Sequence, residues 1–255
     1  YFMTDYSYSF ILLYSLVQGI TEFIPVSSSG HLNIIESLYN DSQSRNLLYE
    51  TTAHFSSLLA LITYLYKNNS DSLKKLFSNN FKLVAISMIP ALAMGLIIKI
   101  LNLNFLSLHM IAYTSIVGAV MLLLVIKFKT IRIKTRSLKL DFFIAGLFQC
   151  LAFLPGFSRS GSCITAFLLL NKKRELAIKN SLLMSFPIIL ISFLSNAKEL
   201  NLISLDINLL IIFIITFISA YLTLLFFIKY INRIGFMPYV IYRILLGLIL
   251  LIYFS

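Results

Sequence analysis

Tryptophan is absent from this chain of 255 residues, and cysteine occurs only twice, at Cys150 and Cys163. Without Trp, any aromatic belt at a membrane–water interface must rest on Tyr. Two cysteines cannot build a disulfide framework, and both lie in apolar surroundings, where they read as packing residues. Charge is scarce as well: 12% of residues are charged, against 59% hydrophobic. The mean hydropathy is +0.89. A soluble domain of this length has too little interior to hide that much apolar side chain, whereas a bilayer supplies the missing apolar solvent. Acidic residues number only 10, so the formal net charge is +11. In a soluble protein that excess would suggest nucleic acid. No aromatic-rich RNA-binding motif or zinc spacing accompanies it, and nucleic acid is excluded as a partner. The basic excess reads instead as a topological signal, because Lys and Arg collect in cytoplasmic loops.

No cleavable signal peptide is expected. The apolar N-terminal run meets Gln18 and Glu22 rather than a small-residue cleavage site. Residues 1–2 precede Met3, which is the expected natural start.

Apolar segments fall at about 8–26, 32–39, 47–66, 82–101, 105–126, 140–155, 163–171, 176–195, 207–231 and 236–254. A spanning helix needs roughly 20 mainly apolar residues. Segments 32–39, 140–155 and 163–171 are too short to span alone. Each adjoins a break, either PVSSSG at 25–30 or PGFSRSG at 155–161. Broken helices at membrane depth are tolerated only where protein or a cavity surrounds them. Residues 8–39 and 140–171 are therefore expected to form two hairpins that enter the membrane and return.

The breaks resemble each other. QGITEFIPVSSSG at 18–30 aligns with QCLAFLPGFSRSG at 149–161 at a constant offset (149 − 18 = 131 and 161 − 30 = 131). Three long apolar segments follow each hairpin. The expected fold is thus an all-α polytopic membrane protein: one integral membrane domain over 1–255 with two inverted repeats, about 8–126 and 140–254. Each repeat is a re-entrant helical hairpin plus three transmembrane helices. Because three is odd, the second repeat is inverted relative to the first.

Charge agrees with this layout. One side collects sixteen cations: Lys67, Lys74, Lys75, Lys82, Lys127, Lys129, Arg132, Lys134, Arg136, Lys139, Lys172, Lys173, Arg174, Lys179, Lys229 and Arg233. The other holds three, Arg45, Lys99 and Lys198. The rich side is assigned to the cytoplasm, which puts both termini outside and brings the hairpins in from opposite faces. Inverted repeats whose broken helices meet at the midplane are a known transporter plan.

Charges in hydrocarbon are costly and usually functional. At the first tip stand Glu22, Ser27, Ser28, Ser29 and His31; at the second, Ser158, Arg159, Ser160 and Ser162. Arg matches phosphate through its bidentate fork. Ser- and Gly-rich turns that open a helix present N–H groups to anions. The pair reads as a phosphate or pyrophosphate cradle. Blander roles exist for single members. Ser27 and Ser160 could serve close packing, Glu22 could serve only as the partner of Arg159, and His54 could be a packing histidine. Arg243 could snorkel to the interface or anchor the headgroup end.

The segment QGITEFIPVSSSGH resembles the first signature of the bacterial undecaprenyl-diphosphatases, the bacitracin-resistance family, and LPGFSRSG resembles the second. FMPYVIYR, near the end, is similar to that family's C-terminal Pro and Tyr-Arg pattern. The resemblance covers essentially the whole chain. It implies hydrolysis of undecaprenyl diphosphate to undecaprenyl phosphate and inorganic phosphate, with a divalent cation (Mg²⁺ or Ca²⁺) and a site facing the periplasm of the inner membrane. Such an enzyme recycles the lipid carrier for peptidoglycan synthesis and confers bacitracin resistance.

Carried over, the implied site comprises Gln18 and Glu22, Ser28 and His31, and Ser158, Arg159 and Ser160. Three departures stand out: Gln18 replaces a Glu found in some members, Ser162-Cys163 stands where Ala-Thr is common, and Ser56 where Gly is common. The expected catalytic residues are Glu22, Ser28, His31 and Arg159, with Glu22 also the metal ligand. Gln18, Ser27, Gly156, Ser158, Ser160 and Gly161 are expected to bind substrate, some through backbone N–H groups. Ser28 attacks phosphorus or positions the attacking water, with His31 as its base or orienting group. The expected partners are a polyprenyl diphosphate lipid and the bilayer, with a homodimer left open. The competing reading is a polyprenyl phosphate carrier or flippase using the same site.

Overall fold

A computed structural model describes residues 8–39, 47–68, 81–103, 107–128, 133, 137–196 and 207–254. These form helices α1 (Tyr8–Thr21), α2 (Ser28–Leu38), α3 (Leu47–Asn68), α4 (Phe81–Ile100), α5 (Leu108–Lys127) and α6 (Leu138–Gln149). A 3₁₀ turn (Cys150–Phe153) extends α6 before α7 (Arg159–Leu169), α8 (Arg174–Asn196), α9 (Ile207–Ile234) and α10 (Met237–Tyr253). Among the described residues there is no strand. The chain is an all-helical polytopic membrane protein.

Four described helices, α4, α5, α8 and α9, are long and apolar enough to cross a membrane. The other two expected spans, α3 and α10, are more polar or shorter than these four. α3 has 22 residues, but Glu50, Thr51, Thr52, His54, Ser56 and Ser57 interrupt its apolar surface. α10 has only 17 residues and carries Arg243. Both helices turn polar groups toward protein rather than lipid. By contrast, Leu210, Ile214, Ile218, Leu222 and Phe226 of α9 are exposed. Their four-residue spacing makes one apolar stripe that lipid would cover.

Both hairpins are present. Pro25 and Pro155 occupy the breaks, and α2 and α7 restart after them with the same N-cap. Ser27 (φ 77°) accepts a bond from the Gly30 N–H, and Ser158 (φ 69°) accepts one from the Gly161 N–H. α2 and α7 each have 11 residues. The positive φ of a serine is strained and persists only where surroundings fix it.

The halves interlock rather than sit side by side. α1 packs on α9 of the other half, and α6 packs on α4; α5 and α10 pair between them. Small residues permit these approaches. A Cβ on Gly19 would lie 2.8 Å from the Ala220 nitrogen, and one on Gly146 would lie 2.2 Å from the Ser87 carbonyl oxygen. One apolar core, including Leu61, Leu122, Phe167, Leu183 and Leu224, runs through both halves. Cys150 and Cys163 are free thiols, consistent with packing roles.

Of the cations used to orient the chain, Arg45, Lys74, Lys75, Lys129, Arg132, Lys134, Arg136 and Lys198 lie outside the described residues. Others cluster at helix ends: Lys67 closes α3, Lys127 closes α5 and Arg233 closes α9. Lys172 reaches back to the buried Asp141 carboxylate at 2.6 Å.

Candidate active site

The two hairpin tips meet. Ser160 Oγ, at the start of α7, donates to the Ile24 carbonyl of the first tip at 2.7 Å. A Cβ on Gly30 would lie 3.2 Å from Gly156 Cα, so the tips touch backbone to backbone. Gly156 has φ +91°, and a side chain there would strike Thr114 Oγ1 at 2.3 Å. Thr114 itself donates to the Pro155 carbonyl, holding the second tip against α5.

Glu22 is the hub. It is 5% exposed, and a bare carboxylate at that depth would be costly. Arg159 Nη2 donates to its Oε1 at 2.5 Å. Ser28 Oγ donates to Oε2 at 2.7 Å, and Gln18 Nε2 donates to the same oxygen at 3.0 Å. Arg159 Nη1 also donates to the Ser185 carbonyl at 3.2 Å. Two hairpins and α8 thereby fix one guanidinium.

His54 completes the cluster, 3.7 Å from Glu22 Oε1. Its Nδ1 lies 3.1 Å from Gln18 Nε2. The Gln18 amide aims one N–H at the carboxylate and the other at this nitrogen, so Nδ1 accepts and His54 carries its proton on Nε2. That side faces Glu50, one turn earlier on α3, at 3.9 Å. The Gln18 carbonyl oxygen is buried and makes no hydrogen bond among the described residues.

A cavity of about 130 Å³ opens here, lined by Glu22, Ser27, Ser28, Ser29, His54, Ser158 and Arg159 on its polar side. Ala152, Ile188, Ile189 and Ser192 line the rest. That volume equals roughly four waters of liquid. It suits a small charged group.

The expected residues separate into two sets. Gln18, Glu22, Ser27, Ser28, Ser158 and Arg159 assemble at or beside the cavity. Gly156, Ser160 and Gly161 instead shape the tip: the Gly161 N–H caps Ser158 at 3.1 Å, and Ser160 Oγ reaches the other tip. The Phe157 N–H, another candidate anion donor, bonds the Leu154 carbonyl at 3.2 Å. His31 departs from expectation. Its Nδ1 donates to the Ser27 carbonyl at 2.6 Å, so its Nε2 accepts from the Tyr242 hydroxyl, also at 2.6 Å. The two rings stack at an interplanar angle of 7°. Both ring nitrogens are engaged away from Ser28, whose hydroxyl proton points at Glu22.

A family model described as bacitracin resistance protein BacA matches residues 11–249. The chain belongs to the BacA family. Three relatives named undecaprenyl-diphosphatase match it nearly end to end. The protein from Pelagibacter ubique is 36% identical over 251 residues, covering 95% of this chain and 96% of that protein. The one from Methanococcus aeolicus is 35% identical over 259 residues, covering 96% and 97%. The one from Sulfurimonas denitrificans is 34% identical over 259 residues, covering 96% and 98%.

Within this BacA-family chain, sequence reasoning left three site residues without a function: His54, Glu50 and Tyr242. The signal for the first two was the i,i+4 pair Glu50–His54 on the polar face of α3. Tyr242 gave no such signal. Its contact with His31 spans 211 positions of sequence.

A metal site made by protein alone does not fit this donor set. Among the described residues, no group of three His, Cys, Asp or Glu side chains could hold an ion. Both oxygens of Glu22 are already engaged by Arg159, Ser28 and Gln18.

Proposed function

We propose that this protein hydrolyses undecaprenyl diphosphate to undecaprenyl phosphate and inorganic phosphate, recycling the lipid carrier for peptidoglycan synthesis and conferring bacitracin resistance. The observation that carries the reading is the Ser28 hydroxyl bonded to the Glu22 carboxylate, with Arg159 on the other carboxylate oxygen. A nucleophile, a base and a phosphate-binding cation share one cavity of headgroup size. Family membership supports the substrate. A carrier would need the cation but not the Ser28–Glu22 pair, so the geometry favours chemistry over transport.

In this mechanism the diphosphate enters the cavity and the polyprenyl chain stays in the bilayer beside Ala152 and Ile188. The Arg159 guanidinium and the backbone N–H groups of Arg159 and Ser160 at the start of α7 hold the terminal phosphoryl and its developing charge. Ser28 Oγ attacks phosphorus, and Glu22 Oε2 takes its proton. The bond to the bridging oxygen breaks, and undecaprenyl phosphate leaves with that electron pair. Water then cleaves the Ser28–phosphorus bond, its hydrogens leave with inorganic phosphate, and Glu22 returns the proton to Ser28 Oγ. Gln18 holds the Glu22 carboxylate in place, and His54 Nδ1 in turn accepts from the Gln18 amide. His31, pinned by Ser27 and Tyr242, orients the α2 start rather than acting as base.

A divalent cation, Mg²⁺ or Ca²⁺, belongs to the proposal as a companion of the substrate. Mg²⁺ sites often combine one carboxylate with substrate phosphates, and Glu22 is the residue that would hold it. When bound, it would neutralise diphosphate charge. The two hairpins are read as inverted repeats, with the site facing the periplasm of the cytoplasmic membrane.

The test is phosphate release from a polyprenyl diphosphate by the purified protein in detergent, with and without Mg²⁺ or Ca²⁺. Release by the wild type, lost in Ser28→Ala, Glu22→Gln and Arg159→Ala, is the expected result. A folded wild type that binds the lipid diphosphate without releasing phosphate would overturn the reading in favour of a carrier.

A further inference from the structure

Arg243 is the largest fully buried side chain in the described protein, with 1% exposure. Its side chain turns into the protein rather than toward the surface. Among the described residues it meets no carboxylate, which is unusual for a cation at membrane depth. Its guanidinium instead faces carbonyl oxygens from both hairpin tips. Nη2 donates to Phe157 at 2.8 Å and to Gly156 at 3.1 Å, on the second tip. Nη1 makes a long bond to Pro25 at 3.5 Å, on the first.

The surroundings are built around this group. Gly118 of α5 lies against it: a Cβ there would fall 2.2 Å from Nη2. A Cβ on Gly161 would fall 3.1 Å from Nη1. Ser115 Oγ donates to the Arg243 carbonyl at 3.2 Å, fixing α10 along α5. The site also sits at the start of α7, where the helix dipole is positive and disfavours a cation. Carbonyl dipoles must offset that repulsion and the lost hydration.

We propose that Arg243 is a positioning residue that, beside the direct Ser160–Ile24 bond, ties the two hairpin tips together and so sets Ser28 of one tip against Arg159 of the other. This rests on the phosphatase reading, because Ser28 attacks and Arg159 holds the phosphoryl. Neither tip can set that distance alone. Arg243 bonds the carbonyls of Pro25, Gly156 and Phe157, a few positions from each reacting group. It touches no substrate atom itself. A misplacement on the order of 1 Å can cost about 100-fold in rate.

The experiment compares wild type, Arg243→Ala, Arg243→Lys and Arg243→Met in detergent. It measures kcat and KM for phosphate release from a polyprenyl diphosphate, and hydrogen exchange at residues 22–31 and 153–162. For Arg243→Ala we expect kcat to fall about 100-fold with KM changed only a few-fold, and exchange to rise at both tips but not in α4 or α9. Added guanidinium ion should restore at least about a tenfold gain in kcat by filling the vacated space. Arg243→Lys should fall between wild type and Arg243→Met. Wild-type kcat in Arg243→Ala would overturn the proposal, as would exchange rising at one tip or throughout the bundle. An inactive wild type whose Arg243→Ala variant still loosens both tips would sink the phosphatase reading and leave the tie standing.

Discussion

Ser28 and Arg159 occupy equivalent positions of the two hairpins, each the first residue of its helix after a serine cap, and both bond the same carboxylate, Glu22. One hairpin supplies a hydroxyl where the other supplies a guanidinium. The backbone frames match, and the chemistry is divided between them. Glu22 itself has no acidic counterpart, since Phe153 stands at its place in the second repeat. The site is therefore single and directional although the two hairpin tips share one backbone frame.

The Glu22–Arg159 pair should be separable into stability and chemistry. Removing one partner of a buried pair strands the other and typically costs 3–5 kcal/mol. Glu22→Gln alone should thus lower thermal stability as well as abolish turnover. The double variant Glu22→Gln/Arg159→Gln should recover much of the stability and none of the activity. Thermal unfolding beside phosphate release checks this; equal destabilisation in the double variant would mean that the pair has no buried-charge penalty to relieve.

Ser28 should carry the phosphoryl group transiently. Rapid quenching with labelled substrate should trap phosphoserine on Ser28, and Ser28→Ala should lose essentially all turnover while still binding lipid diphosphate. Turnover in Ser28→Ala near the wild-type rate would exclude the attack by this hydroxyl.

His31 and Tyr242 should behave as one unit. Each single variant, His31→Ala and Tyr242→Phe, should slow kcat by about tenfold. The double variant should be little worse than either, since groups acting together are non-additive. If His31→Ala matched Ser28→Ala in severity while Tyr242→Phe kept full activity, His31 would be a base after all.

Gln18 supplies two N–H donors that a carboxylate cannot. Gln18→Glu would place a second negative charge against Glu22 Oε2, now 3.0 Å from the Gln18 nitrogen. Its activity should fall at low divalent cation and recover as Mg²⁺ is raised, since an ion would bridge the two carboxylates. A metal titration of kcat checks this: a wild-type response would show that Gln18 does not set the charge at the site.

Gly156→Ala should fail structurally. Its φ of +91° and the 2.3 Å approach to Thr114 Oγ1 leave no room for a methyl group. Gly30→Ala meets contacts of 3.2–3.3 Å with Gly156 and Ile111, at an ordinary φ, and should be milder. Comparing the two melting temperatures in detergent tests whether the second tip is the rigid one.

Much of this was legible in the sequence because the membrane imposes simple rules. Length and apolarity set the long helices, and Pro with Ser and Gly set the breaks at Pro25 and Pro155. The 131-residue offset set the equivalence of the tips, which the shared caps of Ser27 and Ser158 now express in backbone geometry. Glu22, Ser28 and Arg159 stood out as polar groups in apolar runs. What the sequence did not carry was direction. Whether His31 turns toward Ser28 or toward Tyr242 depends on how α10 packs against the first hairpin, and no local pattern encodes that. Arg243 was misleading for the same reason: an arginine near the end of an apolar segment looks able to reach water, but packing of α10 on α5 points it inward. His54 was ambiguous because a polar helix face reads alike whether it lines a cavity or satisfies a core.

The small size of the cavity governs how the protein meets its substrate. On the proposed function, a pocket of this size takes the headgroup and leaves the hydrocarbon in the surrounding solvent of lipid or detergent. Encounter therefore takes place in two dimensions. The quantity that saturates the protein is the surface fraction of lipid diphosphate, so diluting the substrate with inert amphiphile slows turnover even when the amount per millilitre is unchanged.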